Sequence, residues 1–576
     1  MSAIRPLIRR CAPFLAAATL PLIAAAASPP PIVGPTINIG EMGVASAEPL
    51  VPVPPTTPCV VQLYTADSPT GTFDDYSAHP FTYTPPAACP GPWNKVVFKA
   101  DYNVTAGRQY DRTASVWIGG VNIYFGTTQE PRAIESPSWH VERDVTDLSN
   151  ALTASAPGNA VLYNVYNATY NGSITGSAEL DFYPATADYP AATVPDQVLS
   201  LYTPSSNTDG GNTFSIYTDQ THMTATLTLP TNVERAYLDV IPEAQSGDEF
   251  WYTCVPEAAM APTQNCGGTG FREAEVSIDG QSVGFVPISP WIYTGGIDPY
   301  LWRPVPGVQT LDFKPFRVDL TPFAAMLSNG QPHTFSISVT TGDPTFQNNS
   351  QRFNTAATLL LFDDAGSTQI TGGMLGSVSD TGVHPVSTLS NNSGVYDMNV
   401  TSRHNFSARG YVNTSHGRVI TAVAESASFS NRDITNPAIY DQNINLQSNV
   451  VSTSTTIDSH GTSNKSRNWS FPLLMDYKYV VNPDGSGFQA TTIDQRHGLH
   501  TNASPAGAPR YFDSLDYHDQ AADTLLFDSN GKLTGNSGQR ATQSYLYKDS
   551  YARCYSRTVD AASGAVTAVT DAKGCP

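Results

Sequence analysis

The stretch Asp111-Arg112-Thr113-Ala114-Ser115-Val116-Trp117-Ile118 passes from a polar turn into a strict alternation. A period of two is that of a strand, whose successive side chains point to opposite faces. Ala114, Val116 and Ile118 then take a core face, while Asp111, Thr113, Ser115 and Trp117 share the other. The same texture recurs outward in both directions. Val96 to Phe98, Val161 to Val165 and Ala178 to Tyr183 precede or follow it, the last ending at Pro184. Met223 to Leu229, Ala236 to Val240, Ala274 to Ile278 and Thr334 to Val339 form a second group, and Gly417 to Val423 opens a third. Asp279-Gly280 between Val276-Ser277-Ile278 and Val283-Gly284-Phe285 is a hairpin signal. Helix is expected only over Thr146 to Leu152, for a turn or two. The 43 glycines and 45 prolines among 576 residues punctuate many short elements, so an all-β chain of sheets packed on sheets is expected.

Fifty acidic against 30 basic side chains give a formal charge of −20, which excludes a nucleic-acid partner because such a partner needs a basic face. Arg5, Arg9 and Arg10 precede the apolar run Phe14 to Ile23 and the small residues Ala24 to Ala27, the pattern of a secretory leader cut near Ala27 or Ser28. No later segment is apolar for the length of a membrane span. The expected division is a leader over 1–28, a Pro/Ala-rich tether over 29–57, a first β-sandwich over 58–184, a second over 185–363, and a β-rich region over 364–576. The product is expected to be secreted or periplasmic, and monomeric. Export also explains an even set of cysteines as disulfides. Cys59, Cys89, Cys254, Cys266, Cys554 and Cys575 fall into three local pairs, 59–89, 254–266 and 554–575, although spacing alone leaves other connectivities open. No Cys/His metal pattern and no nucleotide motif occurs, so no metal or cofactor is expected.

Four clusters mix charge with aromatic rings. The first, 107–113, puts Asp111 at the mouth of a strand between Arg108 and Arg112. Its bland alternative is an ion-paired strand end. In Trp139-His140-Val141-Glu142-Arg143-Asp144, alternation sets Glu142 opposite Val141, and Asp144 could simply cap the following turn. The third cluster is Asp248-Glu249-Phe250-Trp251-Tyr252 with Phe271-Arg272-Glu273, where Glu273 and Glu275 face away from Ala274, Val276 and Ile278. The fourth, 291–304, surrounds Gly295-Gly296 with Trp291, Tyr293, Tyr300, Trp302 and Arg303. Rings beside charged groups suit a sugar surface, and they equally suit a loop packed on the core.

The stretches GRQYDRTASVWIGGV (107–121), TTQEP (127–131), WHVERDVTDLSNAL (139–152), EFWYT (249–253), FREAEVSIDG (271–280) and WIYTGGIDPYLWRPVPG (291–307) closely resemble the acid peptide N-glycanases of the PNGase A type. A more distant similarity is to the PNGase F type, which implies two packed eight-stranded jelly-roll-like sandwiches with the active site between them. The resemblance implies hydrolysis of the amide between N-acetylglucosamine and asparagine in an N-glycoprotein or N-glycopeptide, yielding aspartate and a glycosylamine. It matches Asp111 to the primary catalytic aspartate, Arg112 to the arginine that follows it, and Glu142 to a supporting glutamate. The position of the second catalytic glutamate falls at Gly268, so Glu273 is taken in its place, with Glu249 next. Trp251, Arg272, Tyr293, Trp302 and Arg303 are expected at the glycan. The competing classes are a secreted glycan-binding sandwich, a glycoside hydrolase using a carboxylate pair, and a structural surface protein.

Overall fold

A computed structural model describes residues 29–131, 135–572 and 574. The first sandwich packs two antiparallel sheets. One runs in the order Cys59–Tyr64, Ile174–Pro184, Trp93–Val104, Ser138–Asp144, with Thr72–Phe73 added beside Ile174–Pro184. The other runs Ala78–Tyr83, Ala156–Leu162, Thr113–Ile118, Val121–Thr127. Ala114, Val116 and Ile118 enter the core between them with Phe98, Leu180 and Phe182, as the alternation requires. Trp117, on the opposite face, does not join that core.

The second sandwich repeats the scheme. Gln197–Ser200, Gln351–Asp363, Val233–Ser246 and Phe316–Asp319, with Phe214–Tyr217 alongside, face Met223–Thr228, Pro332–Thr341, Arg272–Ile278 and Gln281–Pro287. Asp279 and Gly280 turn the hairpin with φ of 52° and 80°, the left-handed pair of a type I′ turn. Each sandwich thus has nine strands, five in one sheet and four in the other. The two meet through Trp117, Phe125 and Val161 on one side and Ile241, Trp291, Tyr293, Phe313 and Ala356 on the other.

The last third is one antiparallel sheet of 13 strands. Its strands are long, Val395–Thr414 pairing with Gly417–Asn436 along their full length. Burial alternates residue by residue, so only one face is covered. That face brings Phe406, Ala427, Phe429, Val450 and Trp469 into the core of the second sandwich. The large sheet is therefore a third layer over the face of the second sandwich that carries Glu273.

The segment 29–57, expected as a tether, is packed and has no regular structure. Ala45 and Ala47 are fully buried. The Ala45 N–H donates to the Pro304 carbonyl at 2.9 Å, the Ala47 N–H to Gln543 Oε1 at 2.8 Å, and the Val51 N–H to Glu142 Oε2 at 2.8 Å. Small side chains and prolines are what a strand-free strap needs to lie flat in a seam. Cys59–Cys89 and Cys254–Cys266 are disulfides. Cys575, and with it the pairing expected with Cys554, lies outside the described residues, as does the leader over 1–28. Thr146–Leu152 is a 3₁₀ helix whose N-cap is Val145, without a side-chain cap; Asp144, expected as the alternative cap, stands one residue earlier, and its Oδ1 accepts from the Thr146 N–H at 3.0 Å. Among the described residues no helix is long and apolar enough to cross a membrane.

A buried ionic triad joins the layers. His404, on the large sheet, sits between Glu273 Oε1 and Asp380 Oδ1, each 2.7 Å from a ring nitrogen. Its ring stacks on Phe285 at 4.2 Å. Burial opposes the ring's charge, but the two carboxylates outweigh burial and push the imidazole up to about 9. A pKa raised on folding contributes stability that is complete below the ordinary imidazole value of ~6.5 and lost as pH rises through the folded value. His404→Gln should lower the melting temperature at pH 6. The gap between wild type and variant should close as pH rises through about 9, measured by calorimetry across pH.

Candidate active site

A cavity of about 910 Å³ opens at the seam between the sandwiches. The first sandwich contributes Tyr76, Tyr110, Asp111, Arg112, Thr113, Thr127, Glu130 and Tyr163. The second contributes Thr213, Ser215, Gln245, Glu249, Arg352 and Asn354, and the loop after Pro287 adds Tyr293, Gly295 and Pro299. The walls differ in kind. On the first side tyrosines pair up, Tyr110 with Tyr170 at 5.3 Å and Tyr76 with Tyr163 at 6.5 Å, while the facing side is mostly hydroxyl and amide.

Asp111 reaches this cavity because the residues before it are tied down. Gln109 is buried; its Nε2 donates to the carbonyls of Val165 and Gly172, and its Oε1 accepts from the Tyr110 N–H at 3.0 Å and from Arg112 Nη2 at 2.9 Å. The Arg112 N–H donates to Thr128 Oγ1 at 2.9 Å. Asp111 Oδ2 accepts the Gly295 N–H at 2.9 Å across the seam. Burial raises the Asp111 carboxyl above its ordinary value, against the Gly295 N–H and the Arg112 charge, which lower it. A Cβ at position 295 would stand 2.2 Å from Glu130 Oε2 and 2.8 Å from Asp111 Oδ1. Only glycine lets this backbone come so close to two carboxyls.

Glu249 lines the same cavity from the second sandwich. Burial, then the charge of Asp111, push its carboxyl up to about 7. Its turn is held by the neighbouring Asp248, whose Oδ1 accepts from Arg272 Nε at 2.9 Å and Nη2 at 2.7 Å. Arg272 Nη1 donates to the carbonyls of Thr269 and Phe271, both at 2.7 Å. The Arg272 and Asp248 side chains are wholly buried, so Arg272 is a bracket under the site and not a surface for substrate.

Of the other residues expected at the site, only Arg112 and Tyr293 reach the cavity. Glu273 is held by His404 under the large sheet. Glu142 lies on the far side of the first sandwich, where it receives the Val51 N–H and stands 3.8 Å from Lys99 Nζ. Trp251 is buried against Phe429 at 6.2 Å. Trp302 is buried and donates from Nε1 to the Gly296 carbonyl at 2.9 Å. Arg303 donates from Nη2 to the Glu130 carbonyl at 2.6 Å. Trp302 and Arg303 therefore shape the loops that present Gly295 and Glu130.

Sequence reasoning passed over Glu130, Glu243, Arg352 and the tyrosine wall. Glu130 lay within the TTQEP stretch and carried that signal. Glu243 falls at a buried strand position, and the polar partner in register with it, Asn354, lies far away in sequence. Arg112 and Arg352 each keep a buried Nε–H without an acceptor among the described residues.

Residues 69–375 match the family described as peptide N-acetyl-beta-D-glucosaminyl asparaginase amidase A. The peptide-N4-(N-acetyl-beta-glucosaminyl)asparagine amidase A of Prunus dulcis is 28% identical over 511 residues, spanning 84% of each chain. The bracket role of Arg272 has a direct test. Arg272→Met should cost about 3–5 kcal/mol in denaturant unfolding, because it strands a buried Asp248 charge.

Proposed function

The chain belongs to the peptide N-acetyl-beta-D-glucosaminyl asparaginase amidase A family, and from that premise we propose how its own residues carry out the reaction. The enzyme hydrolyses the amide joining N-acetylglucosamine to asparagine in N-glycopeptides, leaving aspartate and releasing the glycan as a glycosylamine. The observation that carries our reading is that Asp111 and Glu249 face one cavity from opposite sandwiches with different proton affinities.

Asp111 has an N–H donor and a cationic neighbour that favour its charged form, while Glu249 has none acting on it. Asp111 is therefore the carboxylate and Glu249 the acid from mildly acidic to neutral pH, the division that separates base from acid in a two-carboxyl site. Asp111 takes a proton from water as its oxygen attacks the amide carbon. The oxyanion is met by the Arg112 guanidinium. Glu249 protonates the departing nitrogen as the C–N bond breaks, which an amine leaving group requires. Glu130 is the third carboxyl beside Gly295 and orients the water or the amide N–H. The tyrosine wall stacks on sugar faces. The hydroxyl and amide wall of Thr213, Ser215, Gln245 and Asn354, with Arg352, receives the peptide. This assignment replaces Glu273 with Glu249 and Glu142 with Glu130. The disulfides support export of the enzyme, in keeping with a leader at 1–28.

Asp111→Asn and Glu249→Gln should each lower kcat/KM on a glycopeptide by at least roughly 10²-fold without unfolding the protein. Glu273→Gln should reduce stability and leave turnover of the folded enzyme within a few-fold. Mass spectrometry of the peptide reads the outcome: an Asn-to-Asp change with intact free glycan is expected, and N-acetylglucosamine left on asparagine would mean a glycosidase. Activity should fall as pH rises through about 7, where Glu249 loses its proton. Gly295→Ala should remove at least roughly 10²-fold of kcat by pushing Asp111 and Glu130 apart, read in the same assay.

A further inference from the structure

Beneath the cavity lies a carboxyl that the reaction above does not use. Glu243, on Val233–Ser246, is fully buried. Its Oε1 accepts from Gln245 Nε2 at 2.6 Å and lies 2.7 Å from Tyr293 Oη, and both of these partners line the cavity. Oε2 is buried without a hydrogen bond of ordinary length among the described residues, and Asn354 stands opposite on the paired strand. Tyr293 Oη also contacts the Ala244 carbonyl oxygen.

A phenol has one proton, and a carbonyl oxygen has none. Once the Tyr293 O–H donates to the Ala244 carbonyl, an ionised Glu243 would press a carboxylate lone pair against the phenol oxygen and leave Oε2 buried and charged with only the Asn354 amide facing it. Both are costly inside a protein. Protonation resolves both: the acid O–H donates to Tyr293 Oη, the same oxygen still accepts from Gln245, and Oε2 becomes a neutral carbonyl oxygen. We propose that Glu243 works as a neutral carboxylic acid, a positioning residue that fixes Tyr293 in the cavity by donating a hydrogen bond to its phenol oxygen, a bond only the protonated form can make, while still accepting from Gln245.

Burial outweighs the groups that favour the charged form. Tyr293 is itself held neutral by burial. Burial, with the charge of Glu249 from the adjoining turn, pushes Glu243 up to about 8, against hydrogen bonds from Gln245, Tyr293 and Asn354 that favour its ionised form. Gln245 and Asn354 are neutral, and Arg352 lies opposite Gln245 on the paired strand. Ionisation of Glu243 would therefore loosen Tyr293 and add a negative charge beside Glu249 and Asp111. On the proposed assignment of Glu249 as the acid, the alkaline loss of activity has two steps.

The test compares Glu243→Gln, which keeps a donor toward Tyr293 without charge, with Glu243→Ala, which does not. Glu243→Ala should lose roughly 10–100-fold in kcat/KM at pH 5 through misplacement of the cavity wall. Glu243→Gln should recover most of it. In wild type the fall of log kcat/KM with pH should steepen near pH 8, and in Glu243→Gln that second step should be absent. Independently of activity, the infrared spectrum of wild-type protein at pH 6.5 should contain a carboxylic-acid C=O band that Glu243→Gln removes and Glu249→Gln leaves. Absence of that band overturns the proposal even if the enzyme is active. So does a folded Glu243→Gln variant no better than Glu243→Ala, or one that retains the second alkaline step. Failure of Glu249→Gln to alter the first step would instead overturn the assignment of Glu249 while leaving the band as evidence for Glu243.

Discussion

Buried backbone without regular pairing must still find a partner for nearly every carbonyl. The loop between Pro287 and Phe316 presents Gly295 to Asp111, is largely buried, and belongs to no sheet. Four glutamines of the large sheet hold it from behind. Gln495, Gln489, Gln539 and Gln543 donate from Nε2 to the carbonyls of Pro290, Ile297, Arg303 and Pro306, at 2.6 to 3.0 Å. From the front, the Thr127 N–H donates to the Thr310 carbonyl and Thr294 Oγ1 to the Thr128 carbonyl, at 2.8 and 2.6 Å. The loop is thus pinned between the first sandwich and the third layer. The N–H that meets Asp111 inherits its placement from both, and the C-terminal third becomes part of the site's support without reaching the cavity.

Sheet-on-sheet packing also explains why the site lies at the seam. Inside each sandwich the faces are apolar and close-packed, leaving no room for charge. Between the sandwiches only the small cluster around Trp117, Trp291 and Phe313 is dry. Beyond it the outward faces of both sandwiches diverge, and the polar residues that alternation places on those faces line the opening. Asp111 is there for the same reason that Trp117 is: both lie on the face that Ala114, Val116 and Ile118 leave free.

Period-two alternation, the Asp279-Gly280 turn and the short helix at Thr146 were legible in the chain because each depends on residues adjacent in sequence, and the two disulfides join cysteines that are neighbours in the order of cysteines along the chain. Layer number was not. Glu273 and Glu275 face away from the core of their own sandwich, and a two-layer reading makes that face open. A third sheet covers it and turns Glu273 into a clamp for His404. The same ambiguity misled the reading of Trp251 and Trp302, since a ring beside charged residues looks alike in a packed loop and on a sugar platform. The tyrosine wall comes from positions 76, 110 and 163, with Tyr170 packed on Tyr110, which only the fold assembles. Glu142 alternates as expected, but its face belongs to the outer sheet, where the strap of residues 29–57 runs.

The acidic balance of the chain takes on a local meaning at the cavity. Asp111, Glu130, Glu249 and Glu243 crowd around one short stretch of the seam, and four full charges there would repel one another in a medium poorer in water than the surface. The fold avoids this by grading how each carboxyl is solvated. Asp111 receives a backbone N–H and faces a guanidinium, which sustain its charge. Glu249 has neither, and is pushed up to about 7. Glu243 lies deepest, with its charged form opposed by burial and by Glu249, and is pushed up to about 8. On the proposed assignments, base, acid and neutral support are set apart by donor supply and burial and not by residue type. A glutamine at Glu243 would keep a donor toward Tyr293, whereas glutamate lets the support give way as pH rises. On the proposed roles, the cavity wall is held best under the mildly acidic conditions in which Glu249 also carries its proton.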